Sequence, residues 1–420
     1  MKSTMRAYGL LVVLGCAVTG SLVACATTDD PVAPADAGAP LTEAGLPAVD
    51  AAPAVDAAVD AAPDADAAVP ECSDDGFCPT AVPADQTLRG VWGDGAGIVW
   101  AVTTQGNVLR WNGAAWTMHA SLAGELYAIW GSSPTDLWIG GQNGLYHGVG
   151  TSSSTLAFTA TSTPGAPIPI TSVWGTGVND VWAVGGSPPD RGVFPYGPAS
   201  ARVLHHTGAT TDGGPSWSLD PSSSQAVGFS AVWGSAATGV WIAGPRAIPD
   251  ADFADEVLVF HKSAPASAFT EVVLPRDPNE TLPYDRLSKL TGGTTSGDST
   301  MWILGRSGSD VPGYWRGTST NGGATFTFAY EKGGKNDEPH LNAVFGIAAN
   351  DAWAVGDYGR VRHGTTASPG TWPQAAVTRT KLPLTDPFFA VWAGSSNDVW
   401  VVGAGIALHL DPSKKAAGQP

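Results

Sequence analysis

Charge is scarce in this 420-residue chain: only 14% of residues are Asp, Glu, Lys or Arg. Basic residues are the fewest, 21 against 38 acids, and no basic stripe exists to neutralise phosphates, which excludes nucleic acid as a partner. No phosphate loop, dinucleotide fingerprint, nucleophile elbow or His-Glu-x-x-His sequence occurs, so neither a dinucleotide nor a motif-defined catalytic residue is expected. Long helices are not expected either. Gly 53, Pro 33 and Trp 17 are high, the mix of many short strands joined by tight turns.

The net charge of −17 is local rather than general. Residues 26–75 hold twelve Asp or Glu and no Lys or Arg, whereas Gly76 onward carries 26 acids against 19 bases. Within that acidic stretch, residues 29–71 are almost entirely Ala, Pro, Asp, Val and Gly, with no aromatic residue and no hydrophobic period. Such a segment buries too little surface to offset chain entropy, so 25–71 is expected to be an extended, disordered tether. The first 25 residues read as an export signal: Lys2 and Arg6 start it, Tyr8 to Val23 form its apolar run, and small residues end it. Leu22-Val23-Ala24-Cys25 resembles a bacterial lipobox. That resemblance implies cleavage after residue 24, acylation of Cys25 and anchoring to a membrane, with the outer membrane the expected destination because Ala26 follows the Cys. The mature chain would then keep Cys72 and Cys78, an even pair in an oxidising compartment, and a disulfide between them is expected.

Beyond Cys78 the chain repeats itself. An apolar triplet is followed eight residues later by a second Trp: Trp92 with Trp100, Trp130 with Trp138, Trp174 with Trp182, Trp233 with Trp241, and Trp392 with Trp400. Phe345 with Trp353 makes a sixth copy, and a degenerate one at Leu290 to Thr295 with Trp302 fills the gap. Each copy reads as an apolar strand, a turn, a second apolar strand, a Gly turn and a third strand, with room for a fourth. Four antiparallel strands per repeat with aromatics between sheets predict an all-β propeller over 72–412, of seven blades, or of six or eight should the degenerate copy not count or another be hidden; 413–420 is a tail. The last copy ends at Leu410 without a fourth strand, and Cys78 to Val82 precedes Trp92 at the spacing that separates Trp116 from Trp130. The N-terminal strand is therefore expected to complete the last blade.

The pattern Val-Trp-Gly-x-x-x-x-Asp-Val-Trp-Ala-Val-Gly resembles the YVTN/BNR-like repeat superfamily, which includes sialidase-type propellers and a photosystem II assembly propeller. The resemblance covers 88–410. It implies the fold and leaves the activity open, since the superfamily hosts unrelated functions. The sialidase Asp-box is absent, because the repeat Asp (Asp136, Asp180, Asp351, Asp398) sits two residues before Trp. Sialidase-type glycosidase chemistry would need three Arg, a Tyr paired with an acid, and a separate acid, and no spacing singles out such a set. These Asp are expected to be turn residues bonded to their own backbone, with calcium there as the one cofactor they suggest and no metal site otherwise. His147, His206, His261, His363 and His409 fall near one point of the third strand. Equivalent residues in different blades lie whole sheets apart, so they predict a repeated structural residue, not a shared ion.

Insertions after the second or fourth strands of blades three to five should emerge on one face, because strands alternate in direction. They carry Asp190, Arg191, Tyr196, Arg246, Asp250, Asp252, Asp255, Arg276, Asp277, Glu280, Tyr284, Arg286, Lys332, Lys335 and Asp337, which form the candidate binding face. The expected function is a cell-envelope lipoprotein whose propeller binds a protein or glycan without catalysis. A BNR-type glycoside hydrolase or lyase, or an assembly scaffold for a membrane complex, are the alternatives.

Overall fold

Glycine and apolar residues in short alternating runs give seven antiparallel sheets in the computed structural model. It describes residues 71–415 except 188–198, 209–215, 248–254, 264–266, 277–286, 308–311, 333–338, 365–371 and 379–381. Counted outward from the axis, blade 1 runs Leu88–Gly93, Val99–Thr103, Asn107–Trp111 and Trp116–Ser121. The first strands of the other blades are Leu126–Ser133, Ser172–Gly177, Ala231–Ser235, Leu287–Ser296, Leu341–Ala348 and Phe388–Ser395. Each first strand touches the next, and the last touches the first, so the ring closes at seven. The degenerate copy is a full blade of four strands, whereas blade 6 has three among the described residues.

The outermost strand of blade 7 is Phe77–Thr80, paired antiparallel with Ile406–Leu410. The two ends of the fold thus share one sheet. Cys72 and Cys78 form a disulfide at the start of that strand, and Ser73 closes the turn by accepting from the Phe77 N–H at 3.1 Å. Asp75 reaches over to the Ala376 N–H on blade 6, and this N-terminal turn therefore braces two blades.

Second strands are buried through their middles, and at Val99–Thr103 and Asp136–Gly141 along their whole length, because both faces of each blade are covered by neighbours. Their seven Trp (100, 138, 182, 241, 302, 353 and 400) are no more than 4% exposed. Each meets an aromatic ring from the outer part of the next blade, nearly edge-on. Phe158 meets Trp100, Trp217 meets Trp138, Phe269 meets Trp182 and Phe326 meets Trp241. Trp372 meets Trp302, Phe77 meets Trp353 and Trp116 meets Trp400, which completes the circle. Edge-to-face pairs add about 0.5–1.5 kcal/mol each beyond the area they bury.

First-strand aromatics use a second rule. Trp392 lies over Gly93, Trp92 over Gly131, Trp130 over Gly175 and Trp174 over Gly234, where a Cβ would come within 2.6–3.1 Å of the indole. The Gly of each Val-Trp-Gly triplet is thus the seat for the preceding blade's Trp. Where the preceding residue is the smaller Phe345, the seat at position 393 is Ala, packed in one cluster with that ring.

Candidate functional site

The repeated polar residues come first, since they are the most conspicuous candidates. Directly opposite five second-strand Trp, the third strand places His147, His205, His261, His363 and His409. Each imidazole stacks on its Trp with ring centroids 3.8–4.2 Å apart. Nε2 then donates to Asp136, Asp180, Asp351 and Asp398 at 2.6–2.9 Å, and in blade 4, which has Gly239 at the Asp position, to the Thr238 carbonyl. Blades 1 and 5 put Arg110 and Arg316 over Trp100 and Trp302 instead.

Two expectations are corrected here. The repeat Asp carboxylates bind the third-strand His and, in blades 2 and 3, Ser132 and Thr176, so they tie strands together across a blade rather than closing their own turns. The aligned His of blade 3 is His205. His206 faces the other side of the sheet, toward Trp138 and Trp217, as a one-residue slip in a strand requires. Burial opposes the charge on Asp136, but the bonds from His147 and Ser132 outweigh it and hold the carboxyl below its ordinary range. Asp180 is lowered chiefly by His205. Among the described residues no group of three or more His, Cys, Asp or Glu is placed to hold a metal ion.

Of the insertion residues, Asp190, Arg191, Tyr196, Asp250, Asp252, Asp277, Glu280, Tyr284, Arg286, Lys335 and Asp337 lie outside the described residues. Lys332 ends the outermost strand of blade 5, opposite Gly313. Arg246 is ion-paired with the buried Glu256, and Asp255 sits opposite Ala247 in the same sheet. Arg276 lines a cleft of about 190 Å³ with Glu256, Glu271 and Trp315 at the outer contact of blades 4 and 5. The described members therefore gather at the periphery.

A larger cavity, about 440 Å³, lies at the axis and is lined by Arg89, Tyr127, Thr171, Asn342 and Phe389. All five occupy one position of the repeat, three residues before the first-strand aromatic or its equivalent. In blades 1, 2, 5, 6 and 7 the ladder skips that residue, leaving Arg89, Tyr127, Thr291, Asn342 and Phe389 as bulges. A bulge turns its side chain out of the sheet's alternation, which here directs it to the axis. Ser230 and Thr291 hold the same position in blades 4 and 5. The bulges lie at the beginning of the first strands, so they share a face with the turns after second strands and with the insertions.

Most polar groups in this ring are already engaged. Thr291 donates to the Leu341 carbonyl, and the Asn342 amide donates to Asp357 and to the Phe388 carbonyl, both at 2.9 Å. The Arg89 guanidinium rests 4.4 Å over the Phe389 ring. Burial pushes the Tyr127 phenol up, and the nearby Glu125 carboxylate adds to this, with Arg89 acting the other way. Beside Asn342, the turn Asp357-Tyr358-Gly359 holds Tyr358 at φ 56° and 69% exposed, a left-handed backbone that a bulky residue seldom adopts. Of the sialidase set, the described cavity lining holds one Arg and one Tyr.

No protein-family model matches the sequence, and no curated protein does so either. Solved structures do match. YCF48 from Cyanidioschyzon merolae is 14% identical, with 80% of this chain and 99% of that one covered at a TM-score of 0.54. YCF48 bound to D1 peptide is 12% identical, with 82% and 97% covered at 0.54. The extracellular domain of BT4673 from B. thetaiotaomicron is 12% identical, with 80% of this chain and 40% of that one covered at 0.51. The likeness is one of fold. This chain is a seven-bladed β-propeller. The repeated signals of its sequence are the propeller's scaffold, and the axial ring is where the blades differ.

Proposed function

We propose that this propeller is a non-enzymatic binding or assembly module of the cell envelope, lipid-anchored through Cys25, that receives a protein or glycan partner at its axial mouth. One observation carries the reading. The residues that line the axial cavity, namely Arg89, Tyr127, Thr171, Asn342 and Phe389, hold one position of the repeat yet differ in chemical group, and that position lies on the loop-bearing face. A packing role would favour uniform residues there, as it does at the seven second-strand Trp. The match to a propeller bound to a peptide supports a binding role, and the export signal with its acidic, Pro-interrupted tether supports display at a distance from the membrane.

The anchor is tested by metabolic labelling with a fatty acid and fractionation. The native chain incorporates label and sediments with membranes, whereas Cys25→Ala takes up none and is released. Label retained by Cys25→Ala would sink the lipoprotein reading.

A further inference from the structure

The axial cavity has one charged group whose donors are unspent. Thr171 Oγ1 reaches the carbonyls of Val184 and Ser230, Thr291 donates to Leu341, and Asn342 spends both amide hydrogens. Arg89 differs. Its guanidinium is fixed over the Phe389 ring and has no hydrogen-bond acceptor among the described residues, so its planar fork of donors remains free at the cavity wall.

We infer that the axial mouth anchors the free C-terminal carboxylate of a bound polypeptide on Arg89. This rests on the axis being the binding site and gives that site its chemistry. The fork matches a carboxylate with two parallel bonds, and stacking on Phe389 holds it in one orientation before the ligand arrives. The rings of Tyr127 and Phe389 offer the last side chain an apolar surface, and the Asn342 amide oxygen is left to accept a peptide N–H. Glu125 and Asp357 stand nearby, and their charge disfavours a polyanion such as a phosphorylated or sulfated ligand. The cavity, at about 440 Å³, is within the size range of ligand pockets and suits a chain end rather than a folded surface.

The test uses the full-length protein and a set of acetylated pentapeptides varied in their last two residues, prepared once as free acids and once as carboxamides, with sodium glucuronate as a separate probe. Affinities are read by ligand-observed NMR. The tightest free acids should bind at least tenfold better than their amides, and Arg89→Gln should erase that difference while Arg89→Lys keeps part of it. Arg110→Gln, the same change on an outer strand, should leave it intact. Should Arg89→Gln not fold, Phe389→Ala, which removes the ring beneath the guanidinium, must weaken the acids selectively. Amides binding as well as acids, no acid binding, or Arg89-dependent binding of glucuronate alone would each overturn the inference. If crosslinking from Tyr127 still captures a partner in those cases, the axial site stands and only its carboxylate anchor falls.

Discussion

At the scale of single residues, the repeat separates two kinds of side chain that look alike in sequence. His261 and His206 are both held neutral by burial: desolvation lowers each below the ordinary value of 6.5, against hydrogen bonds that raise it. Their folded pKa lies below the unfolded one, so the stability they contribute is complete above 6.5 and is lost as pH falls through that value, when the unfolded chain takes up protons the fold resists. Asp136 and Asp180, lowered in the fold, add a further loss in the carboxylate range below. Thermal melting should therefore fall in two stages on acidification, the first setting in below the ordinary His value of 6.5. His261→Gln should blunt that first stage, and a melting temperature flat between pH 7 and 5 would contradict this account. His206 and His205 also show why a motif read by eye can miss by one. Adjacent His residues in a strand face opposite ways, and only the pairing of Trp182 with His205 decides which belongs to the repeat.

At the scale of elements, the blade contact is a pairing of ring and seat. Gly at 93, 131, 175 and 234 accepts an indole, and Ala393 accepts the smaller Phe345. Phe345→Trp should thus cost about 1–3 kcal/mol in denaturant unfolding by overpacking, and Ala393→Gly in the same chain should recover part of it. Simple additivity of the two changes would deny the coupling. This interface was half legible in sequence. The Trp and Gly positions recur visibly, so the copies, the strand order and the closing strand could be read from spacing. The edge-on partners could not be read, because Phe77, Phe158, Phe269, Phe326 and Trp372 come from irregular outer segments whose spacing to the repeat varies. The axial ring was missed for the opposite reason. Arg89, Tyr127, Thr171, Asn342 and Phe389 keep their spacing but share no chemistry, so a search for repetition passes over them; the signal that finds them is a variable position inside a regular strand.

At the scale of the whole molecule, one short strand closes the ring. Phe77 is fully buried, pairs with Leu410 and gives blade 6 the edge-on ring for Trp353, while the Cys72–Cys78 disulfide shapes the turn before it. Phe77→Ala should cost about 3–5 kcal/mol and make the terminal blades exchange amide hydrogens first. Uniform exchange around the ring would show that closure does not depend on this latch. With the scaffold so accounted for, the account's central claim is that partners meet the axial mouth and not the opposite face. Photocrosslinking measures it most directly, with benzoylphenylalanine placed in the full-length protein at Tyr127 on the axis and, separately, at Val178, which is 55% exposed in the turn between the first two strands of blade 3. In intact expressing cells, adducts should form from position 127 and not from 178. Adducts from 178 alone would contradict the claim.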